Sequence, residues 1–350
     1  MRAPVAGGST KPPAQGGDGC AEESVTRRRR RVKLGRSTAT GALRRAENRD
    51  GLFLVSPTFV LVLFVVVLPI LWTIMLSFQR LRLISIRYAG VFGDYTLDNF
   101  TNVFTDPGFW GALGTTLVYS IAGTTVSIGI GLAAALATRR AFRGRTFVRG
   151  AMLLPYVAPV VAVAFAWRTM LNPQMGVLNW WGTHVFGWDK SVSFLAERSH
   201  QVSIFGFDFS VPLALLTVIA FEAWRSFPFA FLFLTARLQA VPGYLEEAAK
   251  CDGATLTQRF RHILLPQLLP TIAVLSALRF IWTFNSFDEI YLLTGGGAGT
   301  QVVAVRVFDF LTARGDIGAA SAQALVLAAI LAVLVGTYLR RLRTHEEGSA

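Results

Sequence analysis

Residues 107–138 read PGFWGALGTTLVYSIAGTTVSIGIGLAAALAT, 32 consecutive positions without a charged side chain. A hydrocarbon core about 30 Å thick is crossed by roughly 20 helical residues. In lipid every backbone N–H and C=O must be satisfied within the chain, which leaves only helices and closed barrels. The stretch therefore reads as a membrane-spanning helix. Residues 51–79, 150–167, 262–278 and 317–339 form four more runs free of acidic and strongly basic side chains, of 29, 18, 17 and 23 residues. A sixth, 209–238, is apolar except for Glu222, Arg225 and Arg237. The 17-residue run continues past Arg279 through residues 280–287 and so is long enough to span. The expected fold class is all-α integral membrane with six transmembrane helices.

Composition agrees. The chain has 350 residues, 53% hydrophobic and 16% charged, against about 25% charged for a soluble domain, and the apolar excess lies in runs rather than at period two or 3.6. A plain soluble enzyme is excluded. The two cysteines, Cys20 and Cys251, fall on segments expected in the cytosol, so neither a disulfide framework nor a metal site is indicated.

The first 50 residues carry 12 Lys or Arg and 5 Asp or Glu, including an unbroken arginine run at 27–31. Residues 1–50 read as a disordered basic cytoplasmic tail, too long and too charged for a cleaved signal peptide. Residues 51–79 then form a retained, peripheral anchor helix. Beside a span, such a basic cluster is an orientation signal or a contact for anionic membrane lipid rather than a nucleic-acid site. With that tail inside, the cytoplasmic segments sum to +14, the outer ones to −3 and the spans to +2. Both termini, including a 342–350 tail, are expected in the cytoplasm by the positive-inside rule. The outer segments, about 80–110, 171–208 and 288–316, are long enough for short helices or turns.

The segment at 241–261 differs from the short basic hairpin at 139–149. It reads VPGYLEEAAKCDGATLTQRFR. Pro242 suits a first helical turn, and Glu246 and Glu247 complement the helix dipole at that end. Leu245, Ala248 and Ala249 make one small apolar face, and Gly253 supplies a left-handed stop. A second short helix is expected at 254–260, turning back toward the membrane. Either this is an ordinary surface loop or it docks into a groove of a partner.

Glu247-Ala248-Ala249, then Gly253, then Ile263, Leu265 and Pro266 resemble, in type and spacing, the Glu-Ala-Ala signature of permease subunits in binding-protein-dependent importers of the ATP-binding-cassette (ABC) superfamily. Leu154-Pro155-Tyr156-Val157-Ala158-Pro159, Asn172-Pro173 with Gly176 and Asn179, Trp224 with Pro228, and Tyr291-Leu292-Leu293-Thr294-Gly295-Gly296 reinforce it. Together they are similar to the branch of maltose, glycerol-phosphate and trehalose permeases. The resemblance covers roughly residues 50–343. It implies a type I ABC importer permease fold, with residues 107–341 as a five-helix core carrying the coupling segment 241–261. It also implies a multi-pass protein of the plasma or inner membrane, a second homologous permease, two copies of an ABC ATPase and an external or periplasmic sugar-binding protein. The permease itself is not an enzyme and binds no cofactor; ATP and Mg sit on the ATPase. Glu247, Ala248, Ala249, Asp252 and Gly253 are implied as the contacts to that ATPase.

Charged residues within spans are expensive and by default face protein or water. Arg279, Thr283 and Ser286 fall on one helical stripe, and Tyr156, Trp224 and Trp282 could supply an aromatic platform for a hydroxyl-rich ligand. By the resemblance, Tyr156, Val160, Arg225, Ser226, Arg279, Thr283 and Ser286 align with sugar-contacting residues of the larger maltose permease. Two departures stand out: Val160 is apolar, and Arg225 and Arg279 replace neutral residues, which implies an anionic or differently substituted sugar, or a pocket shared with the partner permease. Read from the residues alone, Arg225 pairs with Glu222 or lines a path, and Arg279 snorkels or lines a path. No phosphate loop of the Gly-x-x-x-x-Gly-Lys-Ser/Thr kind and no hydrolase motif occurs in the chain. The rival class, an autonomous channel or secondary transporter with six helices, predicts sensor, filter or paired-repeat features that the sequence does not show.

Overall fold

A computed structural model describes residues 55–88, 94–204 and 207–347. The 1–50 tail with Cys20, the start of the 51–79 run and residues 348–350 lie outside the described residues. The chain divides into two compact units at Leu63. Of the first, residues 55–63 are described and are helical; the second, Phe64–Ala350, holds the remainder of that helix, Val55–Ser77 (α1), and all later elements.

Among the described residues, five helices are long and apolar enough to cross a membrane: α1, Pro107–Ala137 (α3), Leu213–Ala240 (α8), Leu256–Phe284 (α10) and Ile317–Leu342, the apolar part of Ile317–Glu347 (α13). Between them come Asp98–Thr105 (α2), Arg145–Ala151 (α4), Leu154–Val157 (α5), Val160–Met170 (α6), Val177–His184 (α7) and Gly243–Cys251 (α9), then Asp288–Thr294 (α11) and Val303–Thr312 (α12).

Three expectations are corrected. The run at 150–167 is not one helix: Arg145–Val157 and Val160–Met170 meet at 96°. Pro159 has no N–H to give and drives Ala158 to extended backbone (φ −67°, ψ 141°). Among the described residues the candidate spans therefore number five, or six if this bent pair counts as one. Nor is the fold all-α, because His200–Ile204 (β1) and Phe207–Val211 (β2) pair antiparallel, His200 opposite Val211. Their period-two alternation of β-branched and aromatic with polar residues is the pattern of a strand pair. Finally, the short helix expected at 254–260 is the first turn of α10. Thr255 caps it in a reciprocal box with Gln258, and a wide turn at Phe260–Leu264, where Leu265 N donates to Phe260 O, carries the helix into Pro266.

Helix α3 is the spine of the bundle. Its buried face repeats small or hydroxylated residues at helical spacing, Thr116, Ser120, Ser127, Gly131 and Ala135, so the backbone of α8 approaches closely, as small-residue faces allow in membranes. One apolar cluster joins Ile128 and Ala135 of α3 to Phe227, Phe231 and Leu234 of α8 and Leu268 and Leu275 of α10. A second joins Phe109 and Leu113 to Phe284, Val303 and Val326. A third joins Tyr119 to Ala164, Phe221, Ile290 and Val305. Thr116 Oγ1 accepts from Val303 N at 3.0 Å, and Arg306 pairs with Asp106 and donates to Gln323 Oε1 at 3.0 Å, which fixes α12 against α3.

A Cβ on Gly131 would stand 2.7 Å from Ala230 Cβ and 2.9 Å from Phe231 N, whereas one on Gly129 meets nothing within 4 Å. Gly131→Leu is expected to cost about 1–3 kcal/mol by overpacking and to lower the thermal midpoint of the detergent-solubilised protein, with Gly129→Leu near wild type. Equal behaviour of the two variants would contradict the α3–α8 contact.

Candidate functional site

The third and first clusters leave a polar cavity of about 390 Å³ between α5, α8, α10 and the α10–α11 junction. It is lined by Tyr156, Glu222, Arg225, Ser226, Arg279, Trp282, Thr283, Ser286 and Glu289. Six of the seven residues expected on a substrate path are thus brought together. Val160 is not: it opens α6, half-buried, beyond the break at Pro159. Trp224 is likewise drawn into the apolar packing, 5.5 Å from Trp167 ring to ring, so Tyr156 and Trp282 are the aromatic faces on the cavity, joined through Phe229.

Glu222 organises the centre. Its Oε1 accepts from Arg279 Nη2, from Ser226 Oγ at 3.1 Å and from Thr283 Oγ1 at 3.1 Å. Arg279, 5% exposed, does not snorkel; it is held inside the bundle with its guanidinium 5.9 Å from the Trp282 ring centroid. Arg225 does not pair with Glu222. Although 222 and 225 share a helix face, Glu222 is taken up by Ser226, Arg279 and Thr283, and Arg225 Nη1 instead reaches Glu289 Oε1 at 2.6 Å. Ser286 donates to the other oxygen of Glu289.

Glu289 is the residue that sequence reasoning missed, because it lies in a stretch assigned to an outer loop. Helix α11 folds back so that Glu289, Ile290 and Leu293 are buried. The apolar spacing of Phe287, Ile290 and Leu293 was the available signal. So was the lack of an acid for Arg225 once Glu222 serves Arg279.

The cavity therefore holds two arginines and two carboxylates, each charge matched. The Nε of Arg225 and of Arg279 are buried without a protein acceptor. Buried donors left unpaired are costly, and both arginines line this polar space.

The second expected site lies on α9, none of whose residues is buried. Glu247, Ala248, Asp252 and Gly253 are exposed and Ala249 half-buried. The helix ends as the sequence predicts: Gly253 has φ +74°, Gly253 N donates to Lys250 O at 3.1 Å and Ala254 N to Ala249 O at 2.9 Å, a Schellman closure. Glu246 is ion-paired with Arg139 at the end of α3, which anchors the exposed helix to the bundle. Among the described residues no group of three or more His, Cys, Asp or Glu is arranged to hold a metal.

Removing one partner of a buried ion pair costs about 3–5 kcal/mol, because the other charge is left uncompensated. Glu222→Gln is expected to destabilise the protein by that amount, and Glu222→Gln with Arg279→Gln to recover much of the loss. Thermal unfolding of the single and double variants in detergent measures it; a double variant no better than Glu222→Gln would contradict the pairing.

Comparison with known proteins places the chain. Residues 126–342 match the family model described as binding-protein-dependent transport system inner membrane component. The inner membrane ABC transporter permease protein YcjO of Escherichia coli (strain K12) is 32% identical over 311 residues, 87% of this chain and 97% of that protein. The trehalose transport system permease protein SugA of Mycobacterium tuberculosis (strain ATCC 25618 / H37Rv) is 31% identical over 85% of this chain and 90% of its own. The fold is shared with a chain of a solved bacterial ABC transporter involved in the import of the acidic polysaccharide alginate, at TM-score 0.72 and 22% identity, covering 87% of this chain and 99% of that one. The chain belongs to the family of inner membrane permease components of binding-protein-dependent ABC transport systems.

Proposed function

We propose that this chain is one of two permeases forming the path of an ATP-driven sugar importer, and that its sugar is uncharged. The observation that carries this reading is the charge-balanced cavity within an apolar bundle. Two Arg and two Glu cancel, so a ligand meets many fixed donors and acceptors, an aromatic face at Trp282 and Tyr156, and no net field. Hydroxyl groups suit such a lining; a carboxylate or phosphate would face Glu222 and Glu289 without a spare cation. The arginines that suggested an anionic sugar are thus already neutralised. The names of relatives include both neutral sugars, trehalose and maltose, and the anionic sn-glycerol-3-phosphate, so the charge balance of the cavity carries the choice.

In this reading the bent pair at 145–170 is the third of six spans, and both termini and α9 are cytoplasmic. Residues 107–341 form the translocating core. Glu247, Ala248, Ala249, Asp252 and Gly253 seat in an ATPase subunit, two copies of which bind ATP and Mg for the pair of permeases. A binding protein delivers sugar from outside. ATP-driven closure of the ATPase dimer moves the coupling helices and opens the bundle outward; hydrolysis resets it. The small side chains of Ala248 and Ala249 permit close approach, and the left-handed Gly253 ends the helix without strain.

Two tests follow from the coupling segment. Ala248→Trp, or Gly253→Pro, is expected to leave the protein in the membrane while initial uptake falls by roughly tenfold or more, as loss of about 1.4 kcal/mol in docking would give. Normal uptake would remove α9 from the coupling role. An impermeant maleimide added to intact cells is expected to spare the exposed Cys251 and to label it only after the membrane is opened; labelling from outside would overturn the orientation.

Uptake over a panel of sugars tests the substrate class. Neutral di- and oligosaccharides are expected to be carried and their phosphorylated or uronic counterparts refused. Glu289→Gln leaves Arg225 unpaired and the cavity at net +1, so the ratio of anionic to neutral uptake is expected to rise about tenfold, the scale of one partly screened charge at contact distance. An unchanged ratio would remove the cavity as the selecting site.

A further inference from the structure

A second cavity, of about 540 Å³, lies between the end of α3, α9 and the start of α10. Its charged side carries Arg139, Arg140, Lys250 and Arg259 against one acid, Glu246, which is already bound to Arg139. Among the described residues, Arg140, Lys250 and Arg259 have no acid within ion-pair distance, and Arg259 Nε is buried without an acceptor. Its other side is apolar: Leu136, Phe260 and Leu264, continued outward by Leu256, 64% exposed. Nearby, the arginine-rich hairpin at 139–149 exposes Phe142 and Phe147.

Three cations without a carboxylate partner stand beside an apolar wall at the level where the uncharged run of α3 ends. A free phosphate or a nucleotide would use the cations and leave the apolar side wet; a zwitterionic lipid would bring its own cation. Basic pockets between spans at the cytoplasmic end are suited to anionic headgroups, each Lys or Arg strengthening the attraction.

We propose that this cavity binds an anionic phospholipid, its phosphate between Arg140, Lys250 and Arg259 and its upper acyl chains on Leu256, Phe260 and Leu264. The site rests on the orientation proposed above, which puts α9 at the inner leaflet. Because Arg139 borders the same cavity, an anion seated there competes for the guanidinium that holds Glu246, so lipid occupancy bears on how firmly α9 is anchored.

The test uses the assembled transporter, both permeases with the ATPase, in phosphatidylcholine nanodiscs containing photoreactive phosphatidylglycerol with its diazirine high in the acyl chain. Crosslinks are expected at residues 256–264, competed by unlabelled phosphatidylglycerol and not by phosphatidylcholine. Arg140→Gln with Arg259→Gln is expected to weaken occupancy roughly thirtyfold, two basic contacts' worth. Should that variant fail to assemble, Lys250→Gln, on the exposed face of α9, is expected to weaken it about fivefold. Equal labelling by photoreactive phosphatidylcholine, or undiminished labelling in the assembled variants, overturns the proposal. Displacement of the probe by inorganic phosphate overturns the lipid as ligand. Labelling of the permease pair that vanishes when the ATPase is added makes the cavity a protein-docking surface and overturns it too. Nanodiscs hold the probe in both leaflets, so these outcomes judge the cavity, while Cys251 labelling in cells judges the orientation separately.

Discussion

The bundle turns on one carboxylate. Glu222 sits in the middle of a long apolar helix, where a lone charge would be expelled or neutralised, and it stays because three donors from two helices converge on one oxygen: Ser226 from its own helix, Arg279 and Thr283 from α10. The same requirement fixes the rotation of α8 and α10 about their axes, since a turn of one residue would carry Arg279 away from its acid. With those rotations set, Arg225 is aimed at the α10–α11 junction, and α11 must fold inward to bring Glu289 to it. The polar cavity is what remains between these pairs.

Apolar packing supplies the cohesion around that centre but specifies less. The three clusters are built from Phe, Leu, Ile, Val and Ala, which tolerate exchange if volume is kept. The α3–α8 contact is different, because Gly131 admits backbone atoms of α8 at distances no side chain would allow. The close approach also brings the α3 backbone beside Glu222, so the spine helix and the ion-pair centre constrain each other.

Much of this was legible in the sequence. The spans were, because charge is so costly in lipid that its absence over 17 to 32 residues is informative on its own. The end of α9 was, because a left-handed residue after a helical run is nearly always glycine. That six of the residues expected on a path line one cavity was foreshadowed where helical spacing and motif alignment agree, at Arg279, Thr283 and Ser286. What escaped depended on non-local geometry. The break at Ala158-Pro159 could be suspected from proline but not its 96° bend. The strand pair at 200–211 straddles an outer segment judged by length alone and the start of the apolar run at 209–238. The partner of Arg225 is 64 residues away, and no local rule prefers Glu289 over Glu222, three positions off.

The placement of α9 between α8 and α10 gives the molecule its mechanical logic. Those two helices are the ones tied by Glu222 and Arg279, and α9 is the segment that joins their ends. From Ser226 to Ala240 is 14 residues, about 21 Å of helix, so under the proposed function a displacement of α9 reaches the cavity through a short arm. Pro228 lies within α8 just past Ser226, and Pro270 lies within α10 on the α9 side of Arg279. Each removes a ladder hydrogen bond and makes bending cheap at that point. Under the proposed function, bending is therefore concentrated between the cavity and the motor contact, while the ion-paired segments beyond the prolines move as a unit. A ligand that tightens the Glu222–Arg279 centre and a motor that pulls on α9 then act on the same two helices, and coupling between them needs no further element.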